Sequence, residues 1–244
     1  MRDRFFIAGV HARGDRVWFA ADDAHKLRSV LRKRTGDRVE VVDSGGASYA
    51  AVLDVRERAV AARLEEPIDR PTAESGLQVT LAQALPKGQK MDFVVEKATE
   101  LGVVAIVPVR SARVIATDAS AAKRERWQRI ARSAAQQSGR SAVPEIGAIV
   151  SWDALLTTFP DYDRVYIPWE LAEPLPLREV LAGTLRDAQR VLFAIGPEGG
   201  FAADEIVRAT SAGATVISLG RRILRTETAA LVLLSAFAYE HGDL

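Results

Sequence analysis

Up to about residue 70 the apolar positions fall in short runs, at 5–8, 16–20, 38–42, 49–55 and 59–64, divided by glycine, aspartate or charged residues. Short strands at such close spacing predict a small β-barrel. One insertion has a different period. Ala24, Leu27, Val30 and Leu31 recur at helical spacing behind Asp22 and Asp23, two candidate caps. Residues 65–76, EEPIDRPTAESG, hold two prolines, a glycine and four acids and break every period, so they read as a linker. Beyond them strands at 77–85 and 103–109 alternate with helices at 91–101 and 123–138. A helix at 152–159, a strand at 165–168, a helix at 177–185 and a strand at 191–195 follow. That alternation predicts an α/β fold with a mostly parallel sheet. In the second of these helices Trp127, Ile130, Ala131, Ala134 and Ala135 share one face, which leaves Arg126, Arg129 and Arg132 toward solvent or a ligand.

Residues 195–231 contain two glycine turns, each leaving an apolar run. Gly196, Gly199 and Gly200 follow the run that ends at Ile195, and glycine lets the backbone take positive φ or approach a ligand closely. A helix with Ile206 and Val207 on its apolar face follows, with Asp204 and Glu205 placed for its positive end. The design then repeats: residues 214–219 read as a strand ending at Leu219, Gly220 turns it, and a last helix opens at 226–228. In that helix positions 229–238 are apolar except for Ser235, so it needs cover on most sides.

The chain has 244 residues, 48% of them hydrophobic, enough for one large domain or two unequal ones. It has no cysteine, which removes disulfides and thiolate chemistry, and three histidines with no ligand spacing, so no metal is expected. No segment has the length and apolarity of a membrane span, MRDRFFIAGV has no long apolar core of the kind a signal peptide needs, and a cytoplasmic location is expected. Net charge is only +1, so binding to nucleic acid has to come from local clusters. The densest lies at 26–38, six lysines and arginines against one aspartate; it is either a solvated helix face or an RNA-binding one, with Arg28, Arg32 and Arg34 as candidate contacts. Neither glycine turn fits a nucleotide fingerprint, and Glu198 would repel a pyrophosphate while tolerating a cationic ligand. A nucleotide-dependent oxidoreductase is therefore the weakest reading, and a non-catalytic RNA-binding module remains as the alternative to an enzyme.

IGPEGGF at 195–201 and LGRRILRTETAAL at 219–231 resemble the closing signature of the RsmE family, the 16S ribosomal RNA uracil-N3 methyltransferases of the SPOUT superfamily. QALPKGQKMDFVVEKATELGV at 83–103, RWQRIARSAAQQSGR at 126–140 and HKLRSVLRKRTGDRVEVVDSGG at 25–46 resemble it too, so the likeness spans nearly the whole chain. The resemblance implies a PUA-like barrel for RNA binding over residues 1–70 and a trefoil-knotted SPOUT α/β domain over 71–244. It implies a homodimer acting on 16S ribosomal RNA, free or in the assembled small subunit. S-adenosylmethionine is then expected among the strand-end loops, at Trp169, Glu170, Ile195, Gly196, Gly199, Gly200, Leu219, Gly220, Ile223 and Leu224, with the two last as apolar walls.

Methylating uracil N3 requires alignment of two partners and removal of a weakly acidic proton. Arg225 is the candidate for holding the developing anion, and Glu198 for accepting the proton if burial raises its pKa. Glu198 has a structural alternative, a carboxylate that accepts N–H groups in the turn, and Glu227 at the helix start is expected to cap. Arg140 joins the candidate RNA contacts. Two departures from the family pattern stand out: Gln136 where relatives read glutamate in AEQSGR, and Ala202 where they read serine, which removes an N-cap.

Overall fold

The computed structural model describes residues 3–57, 59–69, 73–114, 121–170, 175–184 and 188–244. The chain divides into two compact units, residues 1–74 with 135–142, and residues 75–134 with 143–244. The domain boundary expected after residue 70 lies outside the described residues.

In the first unit a five-stranded sheet runs in the order β1-β3-β4-β5-β2. Its strands are β1 (Arg4–Phe6), β2 (Arg16–Trp18), β3 (Arg38–Val42), β4 (Ser48–Val55) and β5 (Val60–Pro67). All pairs are antiparallel except β1 with β3. Alternation puts Phe5, Val39, Val41, Leu53 and Leu64 inside, where Phe5 meets Phe19 edge to face at 5.6 Å. The helical insertion is shorter than its apolar period suggested. α1 (Ala21–His25) passes into a single π-helical stretch, Lys26–Val30, with Leu27 as its buried residue, while Val30 points out at 65% exposure. The first turn of the next loop holds Arg32 at φ +51°, the one non-glycine residue with positive φ among those described.

Segment 135–142 is held to this sheet by buried polar groups. Arg4 pairs with Glu40 at 2.5 Å and donates to the carbonyls of Gly139 and Arg140. The Gln136 amide donates to Asp23 at 3.1 Å and accepts from Lys26 at 3.0 Å. A glutamate there would set a second carboxylate against Asp23, so the amide suits this environment.

The second unit is an eight-stranded, parallel-paired sheet in the order β11-β13-β10-β12-β6-β7-β8, with β9 also on β7. Its central strands are β6 (Gln78–Ala84), β7 (Ala105–Arg110), β10 (Arg164–Pro168), β12 (Arg190–Ile195) and β13 (Thr215–Ser218). Three two-residue strands, β8 (Glu145–Ile146), β9 (Val150–Ser151) and β11 (Leu175–Pro176), were not expected, because two residues show no period. β12 lies between β10 and β6 and is buried from Val191 to Ile195, which is why it reads as one apolar run. Covering helices are α2 (Lys90–Glu100), α3 (Ala121–Ser138), α4 (Trp152–Leu156), α5 (Leu177–Thr184), α6 (Ala203–Ser211) and α7 (Thr226–His241). α7 buries Ala230, Leu233, Leu234 and Phe237. The Phe237 ring lies 4.5 Å from Phe193 and 5.5 Å from Tyr166. Its other side is less covered than the sequence required: Val232 and Tyr239 are exposed. Among the described residues no helix is long and apolar enough to cross a membrane.

Candidate active site

β13, β10 and β12 are neighbours in the sheet and run parallel, so their carboxyl ends open onto one side. There stand Trp169 and Glu170, the turn 196–200, and Leu219 with Gly220. These are the three strand ends singled out in the sequence, and the strand order makes them adjacent.

The turn closes through the Gly200 N–H, which donates to the Pro197 carbonyl at 2.9 Å. Gly200 has φ +65°, and a Cβ placed on it would stand 2.7 Å from Oε1 of Glu170. Both the left-handed backbone and the close approach explain glycine here. At Gly196 a Cβ would come within 3.2 Å of the Phe201 ring. The Trp169 indole N–H points to the Phe201 carbonyl at 3.4 Å, and Arg113 donates to the Gly199 carbonyl at 2.7 Å. Glu205 is 1% exposed and accepts two N–H groups, from Ala112 at 2.8 Å and from Ala202 at 2.9 Å. It thus supplies one half of a capping box, while Ala202 has no side chain for the other half.

Charge collects beside this turn. Glu198 accepts from the Lys90 ammonium at 2.8 Å and from the Lys87 N–H at 3.1 Å. Desolvation pushes the Glu198 carboxyl upward, but the Lys90 hydrogen bond, its own N–H, the Lys87 N–H and the Lys90 charge outweigh it and leave the pKa lowered. The condition set for Glu198 as a base, a pKa raised by burial, is therefore not met. Lys90 itself is shifted upward, chiefly by its bond to Glu198, with Arg225 close enough to oppose the shift. Glu227 lies 3.7 Å from Lys90, and its Oε2 is buried without a hydrogen bond among the described residues. It does not cap in the way expected: α7 begins at Thr226 with Arg225 as an N-cap that makes no side-chain cap bond, and Glu227 makes none to the helix start among the described residues.

Arg225 is exposed at the head of α7. Leu224 is half-buried, whereas Ile223 is 91% exposed and forms no wall by itself. Of the RNA candidates, Arg32 and Arg34 are exposed, and Arg28 reaches back to the carbonyls of Arg56 and Glu57. Arg140 is 2% exposed and bound to Glu74 at 2.5 Å, so it sits in a structural ion pair and not on the surface suggested by the sequence. Lys90 and Arg113 were not singled out. Both lie outside the glycine turns in sequence, and only the fold brings them to Glu198 and Gly199.

A glycine-lined set of loops with an apolar residue, a carboxylate at Glu170 and no phosphate fingerprint fits a cationic, adenosine-bearing ligand better than a pyrophosphate. Comparison with known proteins agrees. A family model described as an RNA methyltransferase domain matches residues 73–238. The ribosomal RNA small subunit methyltransferase E of Bacillus subtilis is 32% identical over 225 residues, covering 90% of this chain and 88% of the relative. The protein of that name from Synechocystis is 37% identical over 213 residues, covering 86% and 69%. A crystal structure of the Neisseria gonorrhoeae protein of that name, bound to S-adenosyl methionine, superposes with a TM-score of 0.88 at 32% identity and covers 98% of each chain. Signature, fold and relatives coincide, and the chain belongs to the RsmE family of RNA methyltransferases.

Proposed function

We propose that this protein transfers the methyl group of S-adenosylmethionine to N3 of a specific uridine in small-subunit ribosomal RNA. The observation that carries this reading is the convergence of Trp169–Glu170, the turn 196–200 and Leu219–Leu224 on one edge of three adjacent parallel strands, with Arg225 beside them. The names of the relatives and the cofactor in the Neisseria structure support it.

S-adenosylmethionine supplies an electrophilic methyl on sulfur; the chain supplies alignment and charge. The glycine turns hold the cofactor with Ile195, Gly196, Gly199, Gly200, Leu219 and Gly220, while Leu224 and Ile223 border it. Arg225 receives the negative charge that spreads over the uracil oxygens as N3 loses its proton. Glu198, kept ionised by Lys90, is an acceptor held in place and not a base tuned to neutral pH. Residues 1–70 serve as a PUA-like RNA-binding domain using Arg28, Arg32 and Arg34, and 71–244 as a trefoil-knotted SPOUT domain. The exposed apolar side chains Phe93, Val232, Tyr239 and Ile223 support a homodimer that covers them. The cytoplasm, where ribosomal RNA is available, is the location consistent with this activity.

Calorimetric titration with S-adenosylmethionine, followed by mass spectrometry of ribosomal RNA lacking the modification after incubation with protein and cofactor, tests the reading. Micromolar binding and a single methyluridine are expected. No cofactor binding would leave the RNA-binding module as the function.

A further inference from the structure

Gln83, at the end of β6, is fully buried yet polar, and none of the chemistry above uses it. Its amide nitrogen donates to the Ala84 carbonyl at 3.0 Å and to the Thr226 hydroxyl at 2.8 Å. The Thr226 hydroxyl in turn lies 2.6 Å from the Gly196 carbonyl. The direction of this chain is fixed by its members. A carbonyl cannot donate, so the hydroxyl gives its one proton to Gly196 and has only acceptor capacity left for Gln83. The amide must then turn its nitrogen toward Thr226, and its oxygen Oε1 is left buried with no partner among the described residues.

Such an orphaned acceptor costs stability. A leucine of similar size would avoid that cost on a strand that already carries the core residue Leu81 and beside its Cα partner Ile195. What the polar arrangement gives in return is registration. Gln83 pairs with Ile195 across the sheet, Gly196 begins the cofactor turn, and Thr226 is the first residue of α7 between Arg225 and Glu227. One relay therefore joins a central strand, the exit of its neighbour, and the segment that carries the proposed anion-holding arginine.

We infer that Gln83 and Thr226 are positioning residues that lock Arg225 onto the glycine turn. This rests on the methyl-transfer reading. Neither side chain touches the reacting atoms; each acts by fixing where the Gly196 carbonyl and the α7 start stand. Misplacement of about 1 Å costs on the order of 10²-fold in rate.

The test compares Thr226→Val, Thr226→Ser and Gln83→Leu in the full chain by three measurements: melting temperature, calorimetric affinity for S-adenosylmethionine, and single-turnover methylation of ribosomal RNA. Thr226→Val removes the hydroxyl at nearly constant shape, and the rate is expected to fall about 10- to 100-fold. Thr226→Ser, which keeps the relay, restores most of it. Gln83→Leu is expected to slow transfer to a similar extent while the melting temperature holds or rises, because the orphaned oxygen is gone. Variants that melt earlier but react at the wild-type rate when folded would overturn the inference and leave a purely structural network. If Gln83→Leu does not fold, the Thr226 pair decides alone. If the wild-type protein binds cofactor but methylates no RNA, the functional reading fails, and the relay is judged on affinity: Thr226→Val binding more weakly than Thr226→Ser upholds it, equal binding refutes it.

Discussion

Two charged regions of this protein contrast. Around Glu74 and Arg140 the charges are largely withdrawn from water and densely bonded: Arg140 donates to Glu74, and the same carboxylate accepts the N–H groups of Ser141 and Ala142 at 2.7 and 3.0 Å. Around Lys90, Glu198, Arg225 and Glu227 the charges are half-open, with the buried Glu227 Oε2 3.7 Å from Lys90 and without a hydrogen bond among the described residues. Closed networks hold a chain in place, whereas a cluster with unmet capacity is arranged for something that arrives. Glutamate and arginine occur in both regions, so residue type alone could not have separated them.

The strongest way to break this contrast is to open the closed network. Arg140→Met leaves the Glu74 carboxylate largely buried without its cation, and the loss should be about 3 kcal/mol, read from denaturant unfolding of the full chain. In the open cluster the damage should fall on rate. Arg225→Lys retains charge but not the planar fork, and we expect methyl transfer to slow by about 10²-fold with cofactor affinity kept, measured in single turnovers at saturating cofactor. A wild-type rate would remove Arg225 from the mechanism.

A smaller effect tests the turn between them in character. Gly200→Ala meets both a left-handed φ and the Glu170 carboxylate; a loss of about 1–2 kcal/mol is expected for the backbone alone, with weaker cofactor binding by calorimetry. Acid titration sharpens the comparison further. Burial raises the Glu74 carboxyl, but the hydrogen bond and charge of Arg140 and the Ser141 and Ala142 N–H groups more than reverse this, so its folded pKa is lowered. Its contribution is then present above the unfolded carboxylate pKa and is lost as pH falls through the folded one. Glu74→Gln should be less stable at neutral pH and show a flatter acid limb in thermal melts. The smallest change is a gain: Ala202→Ser restores the missing half of the capping box on α6 and should add about 1 kcal/mol in the same melts.

Much of this architecture was legible in the sequence. The long ladders β4, β6 and β12 carry their burial in their own period, and the glycine turns announced themselves because no other residue takes their backbone cheaply. The loops at 196–200 and 219–224 stood out for that reason, and 169–170 as the end of an apolar strand. What escaped notice depended on partners distant in sequence. Arg140 looked like any other arginine until Glu74, 66 positions away, enclosed it. The base role of Glu198 depended on burial raising its pKa, and the opposite shift comes chiefly from Lys90, 108 positions away. The π-helical stretch at Lys26–Val30 has an ordinary helical period and left no mark of its extra residue per turn.

The packing of Phe237 on Phe193 and Tyr166 also sets a timetable for biosynthesis. These rings come from β10, β12 and the far part of α7, so the part of the sheet that α7 covers stays bare while the ribosome is still supplying the helix. At roughly 5–20 residues per second the sheet strands wait several seconds for their cover. Through that interval Tyr166 and Phe193, fully enclosed in the finished protein, are the surface a chaperone would find.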